Sequence, residues 1–441
     1  MDPQRRLVAH VLRSFAGMTQ SAQSTVREVR IAVAATILAL ALILCLEAIS
    51  GEAVRYDFST IYLSGWMLNH ASPSKLYDID EQTRAQQAVF RRSDALPVNH
   101  PAFEAALFAP LARLSYPVAY VFWGFINILL WVWFVRSVRV FIKIPQQPFQ
   151  YLILCFGFFP LWVAFLHGGT SVALLFVYGL VYCRMKRGRD FSAGAILGLG
   201  LFRFHLVLPF VAIFAVRQKW RFLYGFITTT LALVLISLVT VGSAGMMAYV
   251  QFLTGMLTDP RHEMNSIVPP SIMATLRAFL ISLLQGYLST MWINSISVVV
   301  SVLLIILSRW CWIRDDRNGG TQSDLLFAAA IGSSIVTGVY SLIHDLSIML
   351  LAILLVAGFA MRHKSTTVHR VLSGCLLLLY ILPGLLLLVS RGRGLYVLCP
   401  VIIVFVATIL YISRRRPVLG LSTPLESGTR NQALPDLSLL V

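Results

Sequence analysis

Charged residues are scarce in this chain. Asp, Glu, Lys and Arg make up 12% of its 441 residues, whereas a soluble domain has about 25%. Hydrophobic residues make up 58%, and they form repeated runs of about 20 residues, the length that crosses a bilayer as a helix. The short alternating strands of a membrane β-barrel are missing. The composition therefore predicts an all-α polytopic membrane protein.

The motifs of cofactor-dependent enzymes are also missing. The sequence has neither a P-loop nor a dinucleotide-binding fingerprint, and its His, Asp and Glu residues show no metal-ligand spacing. We therefore expect no cofactor and no metal. The six cysteines lie in or at the ends of apolar runs, which indicates small core residues rather than a disulfide framework. These are Cys45, Cys155, Cys183, Cys311, Cys375 and Cys399.

The net charge of +17 is placed in clusters between apolar runs. This is the positive-inside pattern of membrane proteins, so we expect contact with a lipid bilayer and not with nucleic acid. The pattern predicts a basic cytoplasmic segment at 1–30, a membrane domain at 31–413 and a disordered cytoplasmic tail at 414–441. The first apolar run follows this basic segment and resembles an uncleaved anchor.

Two long extracytoplasmic loops are predicted, at residues 51–116 and 243–289. Single membrane spans are predicted at 31–50, 117–138, 149–166, 170–184, 222–242, 290–312, 324–343, 345–361, 368–389 and 395–413. Residues 191–216 differ, because Arg203 and His205 interrupt an apolar run that a second basic cluster follows. An arginine at mid-membrane costs about 2.5–3.5 kcal/mol on insertion scales.

A short re-entrant pair of helices, at 191–202 and 205–216, would avoid that cost. Both helices would enter from the cytoplasmic side, and the polar turn at their tip would line a cavity. The single spans, each an apolar run of about 20 residues, and the two short helices of this pair add up to about 12 membrane helices.

Asp57 is the most informative polar residue of the first outer loop. It follows the first apolar run closely and lies among the aromatic residues Tyr56, Phe58 and Tyr62. Aromatic faces suit both sugar rings and membrane interfaces. Taken alone, this stretch favours a simpler interpretation, in which Asp57 caps an amphipathic helix.

Several short motifs, in order, resemble one known family. Asp-Phe-x-x-x-Tyr-x-x-Gly at 57–65 is followed by Leu-Tyr-Asp at 76–78, Asn-His-Pro-Ala-Phe-Glu at 99–104, His-Gly-Gly at 167–169, a Gly-rich run with Arg-Phe-His at 198–206, and His-Asp-Leu at 344–346. Together they resemble glycosyltransferase family 87, the polyprenyl-phosphate-mannose-dependent mannosyltransferases of the GT-C fold. Gly169 and Arg203 stand where this family has Gln and Lys.

The resemblance implies an inverting hexosyl transfer, with mannose as the sugar, to a hydroxyl of a glycolipid or glycan acceptor. Asp57 would be the general base. It also implies a location in the inner (cell) membrane, with the site facing the periplasm or exterior. The departing phosphate gains negative charge, so cations are required near it. The candidates are Arg203, His205, Arg261, His262 and Arg277.

Other candidates would line the substrate cavity, although for His344 and Asp345 the sequence favours the capping of a helix that starts at Asp345. They are Tyr56, Phe58, Tyr62, Asp78, His100, Glu104, His167, His344 and Asp345. Two other functions fit the hydropathy: a lipid or glycan flippase, and a non-catalytic scaffold for envelope assembly. A cavity containing both Asp57 and Arg203 would favour the enzyme, whereas a continuous polar path would favour transport and a filled interior the scaffold.

Overall fold

The computed structural model describes residues 34–51, 57–91, 96–142, 151, 154–258, 268–312, 321–361, 367–390 and 394–414. Within these ranges the chain is helical and contains no β-strand. Six stretches are long and apolar enough to cross a membrane, and three shorter apolar helices accompany them. The chain is therefore an all-α protein with several candidate membrane spans. The count of about 12 membrane helices stays a prediction.

Sixteen α-helices have both ends within these ranges. They are α1 (Ala34–Ser50), α2 (Asp57–His70), α3 (Ile79–Phe90), α4 (Ala102–Phe108), α5 (Tyr116–Arg139), α6 (Phe159–His167), α7 (Ser171–Lys186), α8 (Asp190–Gly198), α9 (Phe204–Val216), α10 (Trp220–Thr258), α11 (Leu276–Leu284), α12 (Thr290–Trp312), α13 (Thr321–Thr337), α14 (Met349–Ala360), α15 (Thr367–Ser390) and α16 (Leu398–Arg414). Short 3₁₀ turns lie at Pro73–Lys75, Leu111–Arg113, Leu199–Arg203, Pro270–Ile272, Asp345–Ile348 and Leu395–Val397.

The first predicted loop, 51–116, contains three helices. The helices α2 and α4 pack closely, because Gly65 lies against the backbone of Phe108, where a β-carbon would come within 2.7 Å of its carbonyl carbon. The helix α3 begins at Asp78, whose carboxylate accepts a hydrogen bond from the amide of Glu81. This loop is therefore a packed helical layer that fixes Asp57, the first residue of α2.

The stretch Asp190–Val216 folds back on itself. Along α8, Gly194 packs against Phe222 and Gly198 against Thr229, so α8 runs parallel to the start of α10. Near the end of α9, the ring of Phe214 stacks on Phe222 at 4.5 Å. Because α9 returns to the start of α10, α8 and α9 form a hairpin. This stretch is long enough to count as a single span, but its packing agrees with the predicted pair.

The boundaries of the pair differ slightly from the prediction. The first α-helix ends at Gly198, and a 3₁₀ turn over Leu199–Arg203 forms the tip. The second helix begins at Phe204. Arg203 therefore lies at the end of the tip, where its side chain leaves the hairpin.

The span expected at 222–242 matches the first part of α10, because the helix kinks at Gly242. The φ of 70° at Gly242 is a conformation that glycine adopts readily, and α10 continues beyond it to Thr258. Another boundary was predicted wrongly. The span expected at 324–343 ends as α13 at Thr337. Residues 338–344 are non-helical, and they bring Tyr340 and Leu342 to the cavity described below.

The helix α14 lies at the centre of the main hydrophobic core and is buried on nearly every side. A helix that is apolar all round belongs in such an interior. By contrast, only 11% of the most apolar part of α12 is buried inside the protein. The exposed apolar face of α12 is suited to lipid, while α14 supports the segment that begins at Asp345.

Candidate active site

Asp57 is buried and lies at the centre of a cluster of cationic and imidazole side chains. Its Oδ2 atom lies 3.1 Å from Nη2 of Arg203 and 3.0 Å from Nε2 of His344. Its Oδ1 atom lies 3.7 Å from Nδ1 of His167. These partners come from distant parts of the sequence, so the tertiary fold creates the cluster.

Arg203 connects the hairpin tip to two carboxylates. Its Nη2 atom donates a hydrogen bond to Asp57, and its Nε atom donates one to Oγ1 of Thr170 over 3.3 Å. Its Nη1 atom lies 3.6 Å from Oδ1 of Asp345. The arginine is buried, and two opposite charges offset its burial cost.

Asp345 holds this arrangement from the cavity wall. Its Oδ1 accepts a hydrogen bond from Oγ of Ser171, and its Oδ2 accepts one from the amide of Leu342, both over 3.1 Å. Nε2 of His205 lies 3.9 Å from Oδ2, and Nε2 of His344 lies 3.6 Å from Oδ1. The capping alternative for Asp345 is wrong, because its carboxylate binds an amide upstream of its own helical turn.

Two glycines allow the close approach of Asp57 and Arg203. Gly168 ends α6 with a φ of 61°, which turns the chain sharply towards α7. At Gly169 a β-carbon would lie 2.9 Å from Nη2 of Arg203 and 3.0 Å from Oδ2 of Asp57. The space for the ion pair therefore depends on the missing side chain at Gly169.

The charges around Asp57 keep its carboxylate ionised. Burial alone would raise its pKa, but the positive charge of His344, hydrogen bonds from His167 and His344, and the charge of Arg203 act in the opposite direction. Together they hold the pKa of Asp57 well below its ordinary value of 3.8. Asp57 therefore has a free lone pair for a proton at neutral pH.

One cavity is lined by Asp57, Arg203, His205 and Asp345. It contains about 760 Å³ of space between atoms, part of it open to solvent. The other polar residues of its wall are Thr60, Asn99 and His100, and the remaining wall is apolar or aromatic, with Leu96, Phe202, Phe204, Leu253, Val268, Tyr340 and Leu342. A ligand with a charged head and an apolar tail would suit this lining.

His100 and Glu104 form a second buried pair in the same region. Nδ1 of His100 lies 2.6 Å from Oε2 of Glu104. The hydroxyl of Tyr77 donates a hydrogen bond to the carbonyl of His100 over 2.9 Å, which fixes the backbone there. His100 lines the cavity and Glu104 does not, so Glu104 contacts His100 from the side away from the cavity.

Seven candidates from the sequence that lie in described parts of the chain are absent from the cavity lining. Glu104, His167 and His344 contact side chains that line it, whereas four others make their contacts elsewhere. Phe58 and Tyr62 pack against Tyr116, with ring centroids 5.6 and 5.1 Å apart, respectively, and do not line the cavity. Asp78 caps α3. Arg277 donates a hydrogen bond from Nε to Oδ1 of Asn294 and is also absent from the lining.

The placement of these four side chains has a physical cause. The rings of Phe58 and Tyr62 find aromatic partners in the core, and Asp78 is attracted to a free amide at a helix start. Three further candidates, Tyr56, Arg261 and His262, lie outside the described residues. Nothing in the structure bears on their predicted roles.

Sequence reasoning missed several residues of the site. Thr170 and Ser171 supply hydroxyls to Arg203 and Asp345, and Tyr340 lines the cavity. The adjacent hydroxyls of Thr170 and Ser171, directly after His-Gly-Gly, were the available signal. Tyr340 had no such signal, because the helix was expected to continue past it.

A metal site must also be considered. Asp57, His167 and His344 each offer a ligand atom within 4.8 Å of the others, a grouping that the sequence spacing did not reveal. However, Nη2 of Arg203 lies 3.1 Å from the same carboxylate. A divalent cation would be repelled by this guanidinium, so the arrangement fits an ion-paired carboxylate better than a metal centre.

The comparison with protein families decides the family of the chain. The family model of glycosyltransferase family 87 matches residues 99–338, more than half of the chain. The chain belongs to glycosyltransferase family 87. No curated protein and no solved structure matches it. The resemblance found in the sequence is therefore confirmed, and the protein is a membrane glycosyltransferase.

The matched range includes part of the site only. His100, Arg203 and His205 fall within the family 87 match, whereas Asp57 and Asp345 fall outside it. The roles of these two carboxylates therefore depend on their contacts with Arg203. The cavity contains both Asp57 and Arg203, which is the arrangement expected of the enzyme rather than of a scaffold with a filled interior.

Proposed function

We propose that this family 87 glycosyltransferase transfers a hexose, with mannose as the first choice, from a polyprenyl-phosphate donor to a hydroxyl of a glycolipid or glycan acceptor. The reaction would invert the anomeric centre and would take place at the extracytoplasmic side of the inner (cell) membrane. The observation that carries the proposal is the contact of 3.1 Å between Asp57 and Arg203 at the wall of one cavity.

The donor would bind through both of its chemical parts. Its phosphate carries one negative charge before the reaction and gains a second as the bond to the sugar breaks. Arg203 and His205 would stabilise this developing charge. The apolar lining, which includes Phe202, Phe204 and Leu253, would contact the first isoprene units of the tail.

Asp57 would act as the general base. As the acceptor oxygen attacks the anomeric carbon, the hydroxyl proton passes to a carboxylate oxygen of Asp57. The bond between the anomeric carbon and the phosphate oxygen breaks, and its electron pair leaves with the phosphate. One carboxylate is sufficient for a single displacement with inversion, by analogy with the inverting glycosidases.

Because Asp57 is paired with Arg203, binding of the donor would change how readily Asp57 accepts a proton. A carboxylate that is held by a guanidinium accepts a proton poorly, since the positive charge favours its ionised form. A donor phosphate would attract Arg203 away from Asp57, while Asp345 and Thr170 keep the arginine in the cavity. Asp57 would then become more basic only after the donor has bound.

The test uses purified protein in lipid, radiolabelled polyprenyl-phosphate-mannose and a membrane glycolipid extract as acceptor. Transfer by the wild type is compared with transfer by Asp57→Asn, which keeps the side-chain shape and removes the base. We expect transfer to fall by roughly 10²–10⁴-fold, with binding of the donor retained. The matched control is Asp80→Asn, an exposed residue of α3.

Equal transfer by wild type and Asp57→Asn would contradict the assignment of the base. If neither protein transferred the label, the donor or the enzymatic function would be wrong. Movement of labelled donor across sealed vesicles without transfer would then support the flippase.

A further inference from the structure

Glu104 is a fully buried carboxylate that the proposed reaction does not use. It has no exposed surface, and apart from His100 neither of its oxygens has a hydrogen-bond partner among the described residues. Burial of a carboxylate is costly unless it is well paired. His100 is the partner of this carboxylate, because its Nδ1 atom lies 2.6 Å from Oε2 of Glu104.

This pair determines how His100 presents its ring. A carboxylate beside one ring nitrogen favours the proton on that nitrogen. With the proton on Nδ1, Nε2 of the neutral ring is a hydrogen-bond acceptor. The backbone is held by the bond from Tyr77 and by the bond from the amide of Glu104 to the carbonyl of Pro101 over 2.9 Å. His100 is therefore a positioned acceptor in the cavity wall.

The position of His100 points to the sugar of the donor. Arg203 and His205, the groups suited to phosphate, line the same cavity as His100. A hexose joined to that phosphate lies within one ring length of it. Its free hydroxyls need hydrogen-bond partners, and Asn99, next to His100, also lines the cavity.

We propose that His100, positioned by Glu104, accepts a hydrogen bond from a hydroxyl group of the donor hexose and so contributes to the selection of the sugar. This inference rests on the proposed function and deepens it. Glu104 is a positioning residue, because it does not line the cavity and its carboxylate contacts His100. Both residues are separate from the base, Asp57, and from the phosphate-binding groups.

The test uses a series of polyprenyl-phosphate-mannose donors, each lacking one ring hydroxyl. In the wild type we expect one of these donors to lose kcat/KM by about tenfold, near the upper end for a lost neutral hydrogen bond. In His100→Ala the intact donor should react more slowly, but the penalty for that same missing hydroxyl should fall to less than about twofold, since no partner is left unpaired. The matched control, His70→Ala, changes an exposed histidine that stacks on Trp66 and should retain the wild-type penalty.

A second variant covers the case in which His100→Ala does not fold. Glu104→Gln retains an oxygen for Nδ1 but removes the charge, so the penalty for the missing hydroxyl should shrink while the protein remains folded. Its control is Glu81→Gln, which removes a surface ion pair with Arg84. Inhibition by sugar-free polyprenyl phosphate should be unchanged in His100→Ala, because this compound has no hexose for His100 to contact.

The inference would be overturned if His100→Ala kept the wild-type penalty for every modified donor. It would also be wrong if those penalties persisted while KM for the acceptor rose, since His100 would then contact the acceptor. Failure of the proposed function has a different signature. In that case the wild type would transfer sugar from none of the donors, and the inference would fall with it.

Discussion

A β-carbon placed on Gly169 would lie 2.9 Å from Nη2 of Arg203. The same atom would lie 3.0 Å from Oδ2 of Asp57, so even the smallest side chain would separate the two charged groups. We expect Gly169→Ala to lower kcat/KM on the order of 10²-fold, the cost of misplacing reacting groups by about 1 Å. Transfer assays in lipid would measure it. Gly374→Ala, where a β-carbon meets nothing within 4 Å, should keep wild-type activity, and equal activity of both variants would contradict the role of Gly169.

Arg203→Lys tests whether a point charge can replace the planar guanidinium. Lysine keeps the charge but cannot contact Asp57, Asp345 and Thr170 together through separate nitrogen atoms. We expect KM for the donor to rise by roughly tenfold and kcat to fall as well, because the developing phosphate charge loses a positioned donor. Initial rates at varied donor concentration give both constants. Arg221→Lys, an exposed substitution in α10, is the matched control. A wild-type KM in Arg203→Lys would place the phosphate elsewhere.

The lowered pKa of Asp57 predicts how stability depends on pH. A group whose pKa is depressed in the folded state stabilises the fold above its unfolded pKa, about 3.9 for aspartate. This stability is lost as pH falls through the folded pKa. Although burial lowers it, the pKa of His344 is raised on balance by Asp57, and this histidine adds its own contribution fully only below its unfolded pKa of about 6.5. The unfolding midpoint of the wild type should therefore exceed that of Asp57→Asn by a constant amount between about pH 6 and about pH 4, and the gap should narrow only in stronger acid. A gap that already closed between pH 6 and pH 5 would show that the pKa is raised.

Removal of metal tests the interpretation of Asp57, His167 and His344. Because Arg203 already neutralises the carboxylate, we expect EDTA to leave the transfer rate within about twofold of its starting value, less than the smallest typical loss of a general base. The assay compares EDTA-treated enzyme with enzyme given Mn²⁺, Mg²⁺ or Zn²⁺. Activity that EDTA abolishes and one of these ions restores would assign the cluster to a metal instead.

Much of the site could be predicted from the sequence, because a chain can bury polar side chains in only a few kinds of structure. Arg203 and His205 within an apolar run required a turn that lines a cavity, and the hairpin provides it. Asp57, His100 and Asp345 were recognised from short motifs, and the fold brings all three to that cavity. These inferences rested on local chemistry, which the sequence contains.

The remaining features depend on contacts between distant residues. The aromatic side chains of Phe58 and Tyr62 looked equally suited to a sugar and to a core, and only the position of Tyr116 distinguishes these outcomes. The early end of α13 has the same origin, since Asp345 binds the amide of Leu342 and stabilises a non-helical turn. The grouping of His167 with His344 arises only in three dimensions.

Gly194 packs directly against the backbone of Phe222, so the spacing between α8 and α10 determines the position of Arg203. The tip of the hairpin keeps its position because α8 packs closely against α10. This contact lies several residues away from the cavity. Gly225 reinforces this contact by packing against the backbone of Phe191. Larger residues at Gly194 or Gly225 would push α8 away from α10 and displace Arg203. Activity would then be lost although neither residue lines the cavity. In a collection of inactive variants, these two glycines would therefore look like active-site residues.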